Sequence, residues 1–387
     1  MKPKPSVFLA LALAACAQSR SSVPAFSITH VSVVDVRAGA TLPDQTVIVR
    51  GGRIAWVGPA TQATLPRGAE VMDGRGKYLI PGLWDMHVHL DSAALLPLLR
   101  AGITRARDMG GDLEELIRWR ARIATGQMQG PRLVFAGPML RGPRAAADSG
   151  PWVIRTAEQG VRAVDSLALR HVDFIKVHEN LSRDAYFAIA REARARHVPF
   201  VGHVAAALTP VEAATAGQKS IEHLEFVPDP CLAIFSGTAP AGCGPESFDT
   251  LLAGLGANGT WLDPTIGSFR VFARPQWPAI FAGFKGLVPA IRAHKLGLLA
   301  GTDLGTTGIE PGASLHDELA LLVNAGFTPA EALRAATLNP ARFFGATDSL
   351  GTVEVGKLAD LVLLEGDPLT DIANTRRVVF VMVAGSH

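Results

Sequence analysis

Three cysteines, two tyrosines and an aromatic share of 6% leave this 387-residue chain little with which to build a disulfide framework or a base-stacking surface. Charge is sparse too, at 19% of residues, and nearly balanced between 37 Lys and Arg and 35 Asp and Glu. Nothing forms a basic face, so the chain has no means of gripping nucleic acid. The N-terminal apolar run, Val7 to Ala15, is too short to cross a bilayer. What the chain does have is a hydrophobic content of 48%, which fits a globular protein with a sizeable core. Its length accommodates one large domain and a smaller one.

Lys2 and Lys4 precede the apolar run, and Leu13-Ala14-Ala15-Cys16 ends it. That order is an export signal and is kept out of the fold argument. The ending resembles the bacterial lipoprotein box. The resemblance implies that residues 1–15 are removed, that Cys16 is acylated and that residues 16–25 form a polar tether. Several acyl chains on one residue anchor stably where a single chain is marginal. The expected location is periplasmic or at the cell surface, on the outer membrane if the source is Gram-negative, because Ala17 and not Asp follows the cysteine. The alternative is an ordinary secretory signal cut near Ala17. Cys231 and Cys243 lie in a stretch rich in Pro and Gly. An oxidising compartment would suit a disulfide closing that loop, although spacing does not show that the sulfurs meet.

Short β-branched, alternating runs at Ile28–Val36, Thr46–Val49 and Arg53–Val57 near one end match Gly351–Val355, Ala359–Leu364 and Arg377–Val383 near the other. They suggest a small composite β-sandwich from residues 26–80 and 346–387. Between them, residues 81–345 alternate apolar runs with amphipathic helices eight times, the pattern of an α/β (β/α)8 TIM barrel.

Barrel strands end at one face, and the chemistry gathers there. His87 and His89 close the first strand, in LIPGLWDMHVHL, and two-residue spacing points both imidazoles the same way. Lys176 lies on the fourth strand, His203 and His223 end the fifth and sixth, and Asp303 ends the eighth. Four neutral imidazoles can supply two ligands to each of two divalent ions, but a bridging anion is needed. A buried lysine whose neutral amine takes up carbon dioxide becomes a carbamate able to bridge them. Asp303 can bind one ion and move the proton of a bridging hydroxide or water.

With these residues in place, the chain resembles the amidohydrolase superfamily in its two-metal, carboxylated-lysine form. The motifs are PGLWDMHVHL at 81–90, FIKVH at 174–178, GHV at 202–204, SIEHL at 220–224, AGTDLG at 300–305 and GKLADLVLLEGDPL at 356–369. The resemblance implies a distorted barrel with an appended β-sandwich. It implies His87, His89, Lys176 (as N6-carboxylysine), His203, His223 and Asp303 as metal ligands, with Asp303 catalytic. Zinc is the default ion, though manganese, iron or cobalt would accept the same donors. The nearest branch resembles imidazolonepropionase-like, prolidase-related enzymes, including dipeptidases that remove a C-terminal residue, some preferring Arg or Lys.

One departure is His178, where many relatives carry an aromatic hydroxyl; it shares a face with Lys176 and is a candidate substrate contact. Arg141 and Arg144, in the Met139–Pro151 loop, are candidates for gripping a substrate carboxylate, and Asp263–Arg270 is a second selecting segment. Arg105 and Asp108 suggest an internal ion pair, and His316 a packing role. His30, His171, His197, His294 and His387 read as solvated and unpartnered. The expected function is hydrolysis of an amide in a dipeptide or N-acyl amino acid, by a hydroxide held between two metals. A cyclic amide, lactone or organophosphate is the alternative substrate, and a non-catalytic metal-binding lipoprotein the alternative of another class. A homo-oligomer is compatible with the sequence.

Overall fold

The structure is a computed structural model and describes residues 25–145, 147–227 and 245–386. The export signal, Cys16, Cys231, Cys243 and His387 lie outside the described residues.

Both ends of the chain enter one seven-stranded sheet. Its strands are β1 (Ala25–Asp35), β2 (Ala40–Arg50), β3 (Arg53–Pro59), β4 (Glu70–Asp73), β5 (Tyr78–Pro81), β14 (Leu361–Leu364) and β15 (Val378–Met382). They run in the order β15-β14-β5-β1-β2-β3, with β4 beside β1. The residues expected to form a β-sandwich are thus hydrogen-bonded into a single sheet. It buries Ile28, Val31, Val47, Val49, Leu361 and Leu363 in one cluster, and Phe26 of β1 stacks on Phe380 of β15 at 5.3 Å. Gly51 and Gly52, both at positive φ, make the two-residue turn from β2 to β3. The expected strand at Gly351–Val355 does not form. Gly351 and Gly356 bracket it in the left-handed region, at φ 89°, and turn the chain at each end.

The middle of the chain supplies eight parallel strands in two sheets. One holds β6 (Leu83–Val88), β7 (Ile103–Asp108) and β8 (Arg132–Phe135). The other holds β9 (Ile175–Val177), β10 (Phe200–Gly202), β11 (Ser220–Glu222), β12 (Trp261–Asp263) and β13 (Gly297–Leu298). Backbone bonds join the sheets at both seams. Asp173 N–H donates to Phe135 O at 2.9 Å and Leu140 N–H to Lys176 O at 2.9 Å. At the other seam Met86 N–H donates to Ala300 O at 3.0 Å and Asp303 N–H to His87 O at 2.8 Å. The eight strands therefore follow one another in chain order.

Helices separate them, and several start at a capping side chain. Asp112, Thr156, Ser182 and Thr209 each accept the N3 amide of the helix that follows. The sequence pattern marks a helix at Leu287–His294; the helix found there runs over Trp277–Ala293, with Pro289 inside it. No helix among the described residues is long and apolar enough to cross a membrane.

Candidate metal centre

The strands are shorter than the sequence suggests because several chemistry-bearing residues leave strand geometry. His89, His178, His203 and His223 each stand just past the last residue of β6, β9, β10 and β11. His223 and Asp303 adopt left-handed backbones, at φ 56° and 60°, as does Thr265 at φ 44°. Non-glycine residues held there store strain, which clusters at functional sites.

These side chains converge. His87 Nε2 lies 3.5 Å from Asp303 Oδ1, and His89 Nε2 lies 3.6 Å from the same oxygen. The His87 ring centre is 5.5 Å from that of His89 and 4.8 Å from that of His223, which is 4.9 Å from His203. Donor atoms of His87, His223 and Asp303 fall within 4.8 Å of one another. Lys176 is fully buried among them, and its charge acts on His87, His203, His223 and Asp303. All six residues of the sequence-derived set are therefore gathered in one place.

Burial, reinforced by the Lys176 charge, holds His87, His203 and His223 well below the usual imidazole range, so they are neutral with a lone pair to offer. Burial also lowers Lys176 and raises Asp303. One ring tautomer is set from outside: His89 Nδ1 donates to Gly110 O at 2.9 Å, which leaves its Nε2 free to bind. His223 Nδ1 lies 2.7 Å from Thr265 Oγ1, which orients the ring. Both ring nitrogens of His87 and Nζ of Lys176 are buried without a hydrogen-bond partner. Such orphaned nitrogens are uncommon in a folded protein. Imidazole nitrogens and a carboxylate suit a divalent cation of the zinc type, so the donor set fits a metal.

Behind these residues lies a buried polar layer that the sequence reading missed. The Arg107 guanidinium, buried between Phe174 and Phe343, donates to Ser220 Oγ at 3.1 Å, Glu222 Oε2 at 2.7 Å and Asp263 Oδ2 at 2.8 Å, and to Met86 O. Glu222 Oε2 stands 3.2 Å from His87 Nδ1, off the line of a hydrogen bond. Asp85 accepts from the backbone N–H groups of His87 at 3.2 Å and Thr302 at 3.1 Å, and burial pushes its carboxyl up to about 7. For Asp85 the available signal was strand periodicity, which puts it on the face of His87 and His89.

Other residues part from expectation. Arg105 and Asp108 do not pair, because residues three apart on a strand face opposite ways. Arg105 bonds Asp360 at 3.0 Å, while Asp108 accepts from the N–H groups of Leu90 at 2.8 Å and Gly110 at 3.1 Å. His30 and His294 are not unpartnered; each has a ring nitrogen 2.7 Å from a carboxylate, of Asp44 and Asp249. His316 packs as expected, its ring nitrogens 3.0 Å from Thr375 Oγ1 and 3.1 Å from Ala101 O.

Of the substrate-contact candidates, His178 stacks on His203 at 3.9 Å, and burial lowers it to about 3. Arg141 is bonded through both terminal nitrogens to Asp148, and the exposed Arg144 gives its backbone N–H to the same carboxylate at 2.9 Å. In the Asp263–Arg270 segment, Ile266 and Gly267 donate their N–H groups to Glu318 at 2.9 and 2.7 Å.

The profile of the amidohydrolase family matches residues 78–386. The imidazolonepropionase of Pseudomonas paraeruginosa is 25% identical over 397 residues, spanning 89% of this chain and 93% of that enzyme. The adenine deaminase of Rubrobacter xylanophilus is 26% identical over 384 residues, or 91% of this chain, and the chain spans 56% of that enzyme's length. Among solved structures, a provisionally assigned prolidase from Bifidobacterium longum is similar with a TM-score of 0.76 at 28% identity, covering 94% of each chain. A Xaa-Pro dipeptidase with methionine in its active site shares the fold with a TM-score of 0.77 at 22% identity, over 93% of this chain and 98% of that one.

Proposed function

Because the chain belongs to the amidohydrolase family, whose members generally use divalent metals, we propose that it hydrolyses a carbon–nitrogen amide bond of a small molecule, a dipeptide or an N-acyl amino acid. The parallel strands are read as a distorted (β/α)8 barrel whose mouth holds the centre. His87, His89, His203, His223 and Asp303 would hold two divalent ions, with Lys176, carboxylated by carbon dioxide, between them. Bound there, the ions would polarise the scissile carbonyl and acidify water.

The chain's own groups supply the rest. Asp303 accepts the proton of the attacking water at Oδ1, the oxygen facing His87 and His89, while Thr306 Oγ1 steadies Oδ2 from 3.2 Å. The same carboxyl then hands the proton to the departing amine. The buried layer of Asp85, Arg107, Glu222 and Asp263 keeps the imidazoles aimed and dry.

The observation that carries this reading is the orphaned set of buried nitrogens on His87 and Lys176, packed against Asp303. The likeness to imidazolonepropionase favours a cyclic amide as the second substrate class. Amine release from a dipeptide library and ring opening of cyclic amides, measured on metal-loaded protein, test both. A chelator or Asp303→Asn should each remove turnover by about 100-fold or more; full activity after either would end the proposal.

A further inference from the structure

Beside His89, the loop after β8 walls a pocket of about 340 Å³ for which the proposed proton transfers have no use. Its sides are Pro138, Met139, Pro151, Trp152 and Val153, and Gly110 stands at one end. The volume is at the small end of the range of roughly 300–1,000 Å³ for ligand sites.

Two sets of contacts fix the pocket to the centre. Gly110 O lies 2.9 Å from His89 Nδ1. A β-carbon on Gly110 would fall 2.6 Å from Met139 Cγ and 3.3 Å from His89 Cε1, so glycine lets the pocket wall meet the histidine. On the other side the loop is bonded to the Lys176 strand. Leu140 N–H donates to Lys176 O and His178 N–H to Leu140 O, both at 2.9 Å, and Gly142 N–H donates to Glu179 O at 3.0 Å.

The lining is apolar and carries one ionic side chain, Arg141. Asp148 takes both terminal nitrogens of that guanidinium, so the wall holds no charge in need of a partner. An apolar group entering would shed water favourably, whereas an ammonium or carboxylate would lose hydration without compensation.

We infer that this pocket is a specificity subsite for an uncharged apolar side chain or acyl group, aromatic or about six carbons long. The preferred substrates are then hydrophobic amides, and not those presenting Arg or Lys at this position. The inference rests on the amide-hydrolase reading of the centre.

Calorimetric titration of metal-loaded protein with hexanoate, 6-aminohexanoate and acetate tests it. Hexanoate should bind about tenfold tighter than 6-aminohexanoate. Trp152→Ala should remove that advantage and leave acetate unchanged, and Ser149→Asp, on the pocket rim, should shift preference towards 6-aminohexanoate. Equal or tighter binding of 6-aminohexanoate to the unaltered protein, or a preference indifferent to Trp152→Ala, would overturn the subsite. A matched amide panel keeps the two readings apart. Hexanoate preference without any amide cleavage refutes the hydrolytic reading and leaves the subsite; cleavage indifferent to an apolar or cationic side chain refutes the subsite and leaves the hydrolytic reading.

Discussion

Glu222 Oε2 stands 3.2 Å from His87 Nδ1, while Arg107 grips the same oxygen from 2.7 Å. Arg107 thereby holds a carboxylate close behind an imidazole whose front faces Asp303. Outer partners of this kind orient a ligand and raise its basicity, and their loss weakens metal affinity by about 10–100-fold. Glu222→Gln is expected to weaken metal retention by that factor, read by competition with a chromophoric chelator, with the far-UV circular dichroism unchanged. Unaltered retention would reduce Glu222 to a packing role.

Removing Arg107 should act on stability instead. Arg107→Met would leave Glu222 and Asp263 buried without their counter-ion. Breaking a buried pair from one side costs about 3–5 kcal/mol, so the denaturation midpoint in urea should fall accordingly. A shift under about 1 kcal/mol would contradict the role of Arg107 as their counter-ion.

Gly142 is held where a β-carbon would lie 1.6 Å from Asn180 O. Gly142→Ala must push the loop off the Lys176 strand, at a cost of about 1–3 kcal/mol as for other overpacked sites. Thermal unfolding should register the loss, and turnover should fall with it because the pocket wall moves.

Buried His316 contributes to the pH dependence of stability with a sign opposite to that of Asp85 and Glu318, whose carboxyls burial raises to about 7. Burial lowers His316 from 6.5 to about 4. Between those values the unfolded chain binds the extra proton at this residue, so the His316 contribution to stability rises with pH. The His316 contribution is full above about 6.5 and is lost as pH falls towards 4, by at most about 3 kcal/mol. Urea unfolding between pH 4 and 7 should show, for His316→Gln, a stability that gains less with rising pH than that of the unaltered protein; parallel pH profiles would contradict the assignment.

How far the sequence predicts the structure depends on whether a signal is local. His87 and His89 are legible because period-two spacing in an apolar run fixes their shared direction. The caps Thr156 and Thr209 are legible because the helix start needs only the next three residues. Arg107 and Glu222 are not, since their partners come from other strands and nothing nearby marks them as internal. The ion pair weighed for Arg105 and Asp108 fails because residues three apart on a strand face opposite ways. Helix Trp277–Ala293 is legible only in its second half, from Leu287 on. The acidic partners of His30 and His294 are likewise distant in the chain, 14 and 45 residues away.

The central claim is that His87, His89, Lys176, His203, His223 and Asp303 hold a pair of divalent ions. Anomalous diffraction from crystals of zinc-loaded protein, collected across the zinc absorption edge, addresses it directly. The expected result is two peaks enclosed by these six side chains, with density extending beyond Lys176 Nζ for a carbamate. No peak among them, or peaks only at surface carboxylates, would contradict the account.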